Sequence, residues 1–195
     1  MRVITGTARG RRLKELSGTE TRPTTDRVKE GLFNIIQFDI EGRRVLDLFA
    51  GTGQLGIEAL SRGAASAIFL DMRKDAASLV GENLKLTGLQ DRGRVICGDA
   101  MAYLSTCREK FDIVFLDPPY GTGLLEQALS KITQFDILRG HGIIVCESKI
   151  SQELPPVAQP YFLHRTYRYG QIKLTVYHLP ARGATRTSTA ASRDS

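Results

Sequence analysis

Residues 44–71 restrict the fold more than any other stretch of this chain. Arg44-Val45-Leu46-Asp47-Leu48-Phe49-Ala50 is a short, β-rich apolar run, and Gly51-Thr52-Gly53-Gln54-Leu55-Gly56 follows it directly. Ile57 to Gly63 then reads as a helical segment with Gly63 as its stop, and the next apolar run, Ala67-Ile68-Phe69-Leu70, ends in Asp71. Strand, glycine turn, helix and strand in this order make a βαβ unit, whose crossover leaves the two strands parallel. The same alternation continues downstream. Lys74 to Leu86 reads as a helix ending near Gly88, Arg94 to Ala100 as a third strand, Ile113 to Leu116 as a fourth and Leu124 to Gln134 as another helix. Gly142 to Glu147 is a fifth strand. Tyr161-Phe162-Leu163 and Lys173 to His178 form a closing antiparallel pair after a loop marked by Pro155, Pro156 and Pro160. The prediction is an α/β fold: a mostly parallel, twisted sheet flanked by helices, with its ligand site at the carboxyl ends of the strands.

The glycine turn carries the first chemical signal. Glycines let the chain turn tightly and let a ligand approach the backbone, while the following helix N-terminus offers unpaired N–H groups. Asp71 lies about 20 residues past Gly51, the spacing at which a carboxylate grips ribose hydroxyls. A nicotinamide dinucleotide would suit this pattern. Two further acids favour S-adenosylmethionine: Asp47, inside the strand before the glycines, suits a cationic aminoacyl group, and Asp99 at the end of the third strand suits an adenine amine. The candidate cofactor residues are Asp47, Phe49, Gly51, Thr52, Gly53, Asp71, Met72, Asp99 and Ala100.

The second signal is Asp117-Pro118-Pro119-Tyr120, directly after the fourth strand. Neither proline can donate to a sheet ladder, so the strand stops there with a stiff row of free carbonyls. Carboxylate, acceptors and aromatic ring together can hold a planar group that carries an amine, the ring stacking on its face. An ordinary Asp-Pro turn capped by a tyrosine accounts for the same four residues.

These motifs in this order resemble the Rossmann-like class I methyltransferases, and Asp117-Pro118-Pro119-Tyr120 resembles the motif of enzymes that methylate exocyclic amines of nucleobases. Arg22-Pro23-Thr24-Thr25-Asp26-Arg27-Val28, the late segment Tyr167-Arg168-Tyr169-Gly170 and the two motifs above are together similar to the bacterial 16S ribosomal RNA guanine-N2 methyltransferases, over roughly residues 1–180. The resemblance implies methyl transfer from S-adenosylmethionine to the N2 amine of a loop guanine near the peptidyl-tRNA site of the small ribosomal subunit or its assembly intermediate. It implies a catalytic set of Asp117, Pro118, Pro119 and Tyr120, and a place for Arg22 or Arg27 beside cofactor or RNA. Asp71 stands where the pattern has Glu, Gly31 where it has Ala or Ser, and Gln171 where it has Asp. An adenine-N6 methyltransferase, a nicotinamide-dependent enzyme and an RNA-binding factor without catalysis remain as alternatives.

Charge enters through its distribution. The 195-residue chain has a net charge of +6, and Arg2, Arg9, Arg11, Arg12 and Lys14 all precede the first acid, Glu15. Runs around Val3-Ile4 and Arg12-Leu13 suggest a basic β-hairpin over residues 1–20 that contacts RNA phosphates. Thr24 or Thr25 can cap the helix bearing Val28, Leu32, Phe33, Ile35 and Ile36. Cys97, Cys107 and Cys146 show no metal spacing, and Cys97 and Cys146 sit in apolar runs as core residues. His141, His164 and His178 form no ligand pattern, so no metal is expected. The expectation is one cytoplasmic, monomeric domain over 1–180, with no membrane partner and a disordered tail over 181–195.

Overall fold

The computed structural model describes residues 1–16 and 26–181. Thr24, Thr25 and Arg22, and the tail beyond Ala181, lie outside the described residues. The elements run in the order α1 (Asp26–Ile35), β1 (Arg44–Asp47), α2 (Gln54–Ser61), β2 (Ser66–Asp71), α3 (Lys74–Thr87), a 3-10 turn (Gln90–Arg92), β3 (Gly93–Cys97), α4 (Ala100–Thr106), β4 (Phe111–Leu116), α5 (Leu124–Gln134), β5 (Leu138–Lys149), β6 (Phe162–Tyr169) and β7 (Ile172–His178). They build one seven-stranded sheet in the order β3-β2-β1-β4-β5-β7-β6. The pairs β1–β2, β1–β4, β2–β3 and β4–β5 are parallel, and β7 runs antiparallel between β5 and β6.

Both faces of the central strands are covered, which is why those strands read as continuous apolar runs. Successive side chains point to opposite faces. Val45, Phe69, Phe115 and Val145 face α1, α2 and α3 in one core layer, while Leu46, Leu70, Leu116 and Cys146 face α5 and Leu104 of α4 in the other. At the opposite end of the sheet from the motif acids, Arg44 pairs with Glu109 and Arg139 with Asp112, tying together the starts of β1, β4 and β5.

The N-terminal segment is a minimal hairpin with one antiparallel bridge, Arg2 to Arg12, rather than a ladder. Val3, Ala8 and Leu13 sink into the α1–α3 core layer, so this basic arm is part of the packed body. Its turn docks on α2: Thr7 N–H donates to the Ser61 carbonyl at 2.9 Å, and Ala8 N–H to the Ser61 hydroxyl at 3.0 Å. Gly6, at φ 87°, has no room for a side chain, since a Cβ would stand 1.8 Å from the Ser61 carbonyl oxygen.

A charge cluster centred on a fully buried Lys29–Glu58 pair holds the arm in place. Glu58 of α2 accepts from the amides of Ile4 (2.7 Å) and Thr5 (3.0 Å) and from Arg62 Nε (2.9 Å). Lys29 of α1 lies 3.9 Å from Glu58 Oε2 and donates to the Arg2 carbonyl at 2.5 Å, with both side chains at 0% exposure. Burial lowers the Lys29 pKa, and the Glu58 charge opposes that shift.

Several sequence expectations need correction. β1 ends at Asp47, and Leu48–Ala50 leaves the ladder while still bonding both neighbours: Leu48 N–H to the Phe115 carbonyl, Ala50 N–H to the Leu70 carbonyl. α2 begins at Gln54 rather than Ile57, straight from Gly53 in the left-handed region. Helix α4 was not expected at all. β6 runs on to Tyr169, well past Leu163. Cys97 is exposed, not core, because it ends the edge strand β3; Cys146 is buried as expected. Gly31 has a packing reason, since a Cβ there would stand 2.4 Å from Cζ of Tyr169.

Candidate active site

Register brings the motif residues to one sheet edge. Asp47 is opposite Phe69 on β2 and Phe115 on β4, so Asp71 and Asp117 each lie two residues beyond it. Asp71 is opposite Cys97, and Asp99 follows two residues later. Leu116 is opposite Cys146, which sets Asp117 beside Glu147. The sheet reverses direction of strand order between β1 and β4, and ligands in open α/β sheets bind outside the strand ends at such a point.

On the β1 side the acids brace the backbone that a cofactor would touch. Asp71 accepts from Gly51 N–H through Oδ2 and from Arg73 N–H through Oδ1, both at 2.9 Å. Asp99 caps α4, accepting from Ala102 N–H at 2.7 Å, and Ala100 is the buried first residue of that helix. Asp47 is 2% exposed and accepts from Gly56 N–H at 2.9 Å. Burial pushes its carboxyl up to about 7; the Gly56 hydrogen bond pulls the other way, and the Asp71 charge adds to the rise. Each carboxyl group retains acceptor capacity beyond these bonds. These internal bonds are what sequence reading missed: the acids hold the glycine loop and the starts of α2 and α4.

The loop itself is shaped for a close ligand. Gly51 and Gly53 take φ values of 54° and 78°, and open space surrounds the Gly51 α-carbon. Gly56 serves helix–strand packing instead, because a Cβ would stand 2.3 Å from the Phe69 ring. Thr52 is tied to the basic arm. Its carbonyl accepts from Asn83 Nδ2 (2.9 Å), and Asn83 also bonds Lys14 N–H (2.8 Å) and the Lys14 carbonyl (3.1 Å). Phe49 is half-buried against the α4–α5 core layer, while Met72 is 71% exposed beside Asp71. Gln54, first residue of α2, buries an amide oxygen with no hydrogen-bond partner among the described residues. An exposed thioether next to a ribose-spaced acid, an open glycine turn and an unsatisfied buried acceptor fit a nucleoside sulfonium such as S-adenosylmethionine.

On the β4 side, Pro118 to Gly123 line a small pocket closed by Leu125, Glu147 and Gln152. Pro118 is buried and Pro119 exposed, and the Thr122 hydroxyl donates to the Pro119 carbonyl at 2.7 Å, fixing the turn. The Tyr120 hydroxyl donates to Glu147 Oε1 at 2.9 Å, and the Lys149 ammonium lies 5.6 Å from its ring centroid. Sequence reading missed Glu147, although the signal was present: an acid closing the apolar run of β5. Of the basic candidates, Arg2, Arg9, Arg11, Arg12, Lys14 and Arg27 are all exposed. Arg2 lies 3.8 Å from Asp26 and Lys14 pairs with Glu82 at 2.7 Å, so those two charges are partly compensated.

Comparison with known proteins agrees with this geometry. The chain matches the protein family described as Conserved hypothetical protein 95 over residues 1–178. It is 42% identical over 180 residues to the Bacillus subtilis protein YlbH, covering 91% of this chain and 98% of that one. It is 38% identical over 183 residues to the Escherichia coli protein named Ribosomal RNA small subunit methyltransferase D, covering 94% and 92%. The solved structure of yhhF from Escherichia coli superposes with a TM-score of 0.84 at 38% identity, covering 93% of this chain and 98% of that one. The chain therefore belongs to the family described as Conserved hypothetical protein 95, and its fold is that of the class I S-adenosylmethionine-dependent methyltransferases.

Proposed function

We propose that this chain transfers a methyl group from S-adenosylmethionine to the exocyclic N2 amine of a guanine in 16S rRNA of the small ribosomal subunit. The observation that carries the reading is the position of Asp117-Pro118-Pro119-Tyr120, at the tip of the strand adjoining the glycine-loop strand. The cofactor supplies a sulfonium-activated methyl. Gly51, Gly53, Asp71 and Met72 hold its nucleoside part, and Asp99 and Ala100 flank its adenine. Asp47 and Gln54 sit behind the loop toward its aminoacyl end.

The acceptor amine is a poor nucleophile, because its lone pair is delocalised into the base. The Asp117 carboxylate and the Pro118 carbonyl accept its two hydrogens and draw the nitrogen toward tetrahedral geometry, aiming the lone pair at the methyl. Tyr120 stacks on the flipped base. Positioning then does most of the catalytic work, with Asp117 as the first acceptor of the released proton. Arg2, Arg9, Arg11, Arg12, Lys14, Arg22 and Arg27 contact phosphates and contribute salt-dependent affinity. The names of the relatives support rRNA as substrate. Choice of guanine over adenine rests on the N-terminal resemblance.

The test is methyl transfer from labelled S-adenosylmethionine to small subunits lacking the modification, alongside an Asp117→Asn variant. Label in the 16S rRNA that falls at least tenfold with the variant supports the reading. Absence of label with cofactor binding intact overturns it in favour of a binding factor.

A further inference from the structure

We propose that Glu147 is the positioning residue of the base platform, holding Tyr120 so that its ring plane is set before RNA arrives. The inference rests on the reading of Tyr120 as the stacking surface. Glu147 is a carboxylate at 5% exposure in the most buried part of β5, after Ile143, Ile144, Val145 and Cys146. A charged group is rarely taken into such a strand without a compensating partner. One partner the structure places there is the Tyr120 hydroxyl, which donates to Oε1 at 2.9 Å. A bond from a phenol to a carboxylate is of the stronger, charge-assisted kind.

Tyr120 is thus fixed at two ends. Its backbone follows two prolines and a turn closed by the Thr122 hydroxyl, and its far end is tied to β5. Between those ends the ring packs on the α1–α3 core layer. Lys149, two residues beyond Glu147 and on the same face of β5, sets its ammonium 5.6 Å from the ring centroid. Lys149 is exposed, so the group beside the ring is a solvent-facing side chain that a base can displace. A tyrosine tethered in this way spends little conformational freedom when a base stacks on it. A phenylalanine, or a tyrosine without Glu147, would have to be ordered by the substrate.

The experiment compares Tyr120→Phe, Glu147→Ala, Glu147→Gln and the Tyr120→Phe/Glu147→Ala pair. Transfer to small subunits gives kcat and KM for RNA, calorimetry gives the cofactor Kd, and thermal melting checks folding. Each single truncation is expected to lower kcat/KM for RNA about tenfold, the scale of one hydrogen bond to a charged group. The pair should be no worse than the worse single variant, Glu147→Gln should recover most of the loss by keeping an acceptor, and the cofactor Kd should not move. Losses that multiply in the pair, or a cofactor Kd raised tenfold by Glu147→Ala, overturn the assignment. Quenching of 2-aminopurine riboside fluorescence reports stacking without chemistry and separates the two claims. Wild-type quenching that Tyr120→Phe and Glu147→Ala weaken equally sustains the tether even if no methyl is transferred. Equal quenching by wild type and Glu147→Ala refutes it, and where Glu147→Ala does not fold, Glu147→Gln and Tyr120→Phe give the comparison.

Discussion

Replacing Glu58 by alanine should cost about 3–5 kcal/mol of global stability, the scale of breaking a buried ion pair by removing one partner. Glu58 is the common acceptor for Ile4 N–H, Thr5 N–H and Arg62 Nε, and it faces Lys29 at 3.9 Å. Without it, a fully buried ammonium keeps the Arg2 carbonyl as its hydrogen-bond acceptor among the described residues, and two part-buried amides lose their acceptor. The chain could relieve this by releasing the N-terminal arm to water. Release would expose Val3 and Leu13, now 1% and 5% exposed, at roughly 3–6 kcal/mol for the two. Release is therefore no easier than tolerating the defect, and the loss should appear in global unfolding. Urea titration followed by circular dichroism measures it, as a lower midpoint with an unchanged slope. Lys29→Met is the control. It leaves Glu58 with Arg62 and both amides, so it should cost under about 2 kcal/mol. A Glu58→Ala cost below about 1 kcal/mol, or an equal cost for Lys29→Met, would refute the reasoning.

Other predictions concern the site. Burial holds a proton on Asp47 up to about pH 7 in the folded chain, whereas the unfolded chain releases it near 3.8. Its contribution to stability is complete below that lower value, shrinks as pH rises and is gone above about 7. Asp47→Asn should flatten this part of the stability–pH curve, and an unchanged slope would count against it. Gly56→Ala should overpack the Phe69 ring by about 1–3 kcal/mol and lower Tm by several degrees. Tyr120→Ala should weaken RNA binding by about 1–3 kcal/mol of base stacking while leaving cofactor affinity intact, measurable by paired titrations. Arg11→Glu with Arg12→Glu should reduce the salt slope of RNA binding by about one per lost phosphate contact.

How much was legible in the sequence follows from burial. β1, α2 and β2 could be read because core on both faces leaves unbroken apolar runs with glycines between them. Helix α4 could not, since only Ala100 and Leu104 of its seven residues are buried and no apolar stripe marks it. β6 was cut short for a similar reason: it is an edge strand, and Leu163 to Thr166 are exposed in succession. Asp47 and Asp71 do end their strands, but β3 stops at Cys97 and Asp99 caps α4 instead, and the bonds of these acids to Gly51, Gly56 and Ala102 depend on how neighbouring elements align. Glu147 and Tyr120 are 27 residues apart, a contact that only the pairing of β4 with β5 creates. Nothing in the local sequence marks Lys29 and Glu58 as buried; the docked arm contacts both, through the Arg2 carbonyl and the Ile4 and Thr5 amides.

The most direct test of the account is the identity of the methylated nucleoside. Small subunits that lack the modification, incubated with this chain and S-adenosylmethionine, should after complete digestion of their 16S rRNA yield N2-methylguanosine at one mapped position. N6-methyladenosine as the product would contradict the guanine assignment, and no methylated nucleoside at all would contradict the amine clamp built on Asp117 and Tyr120.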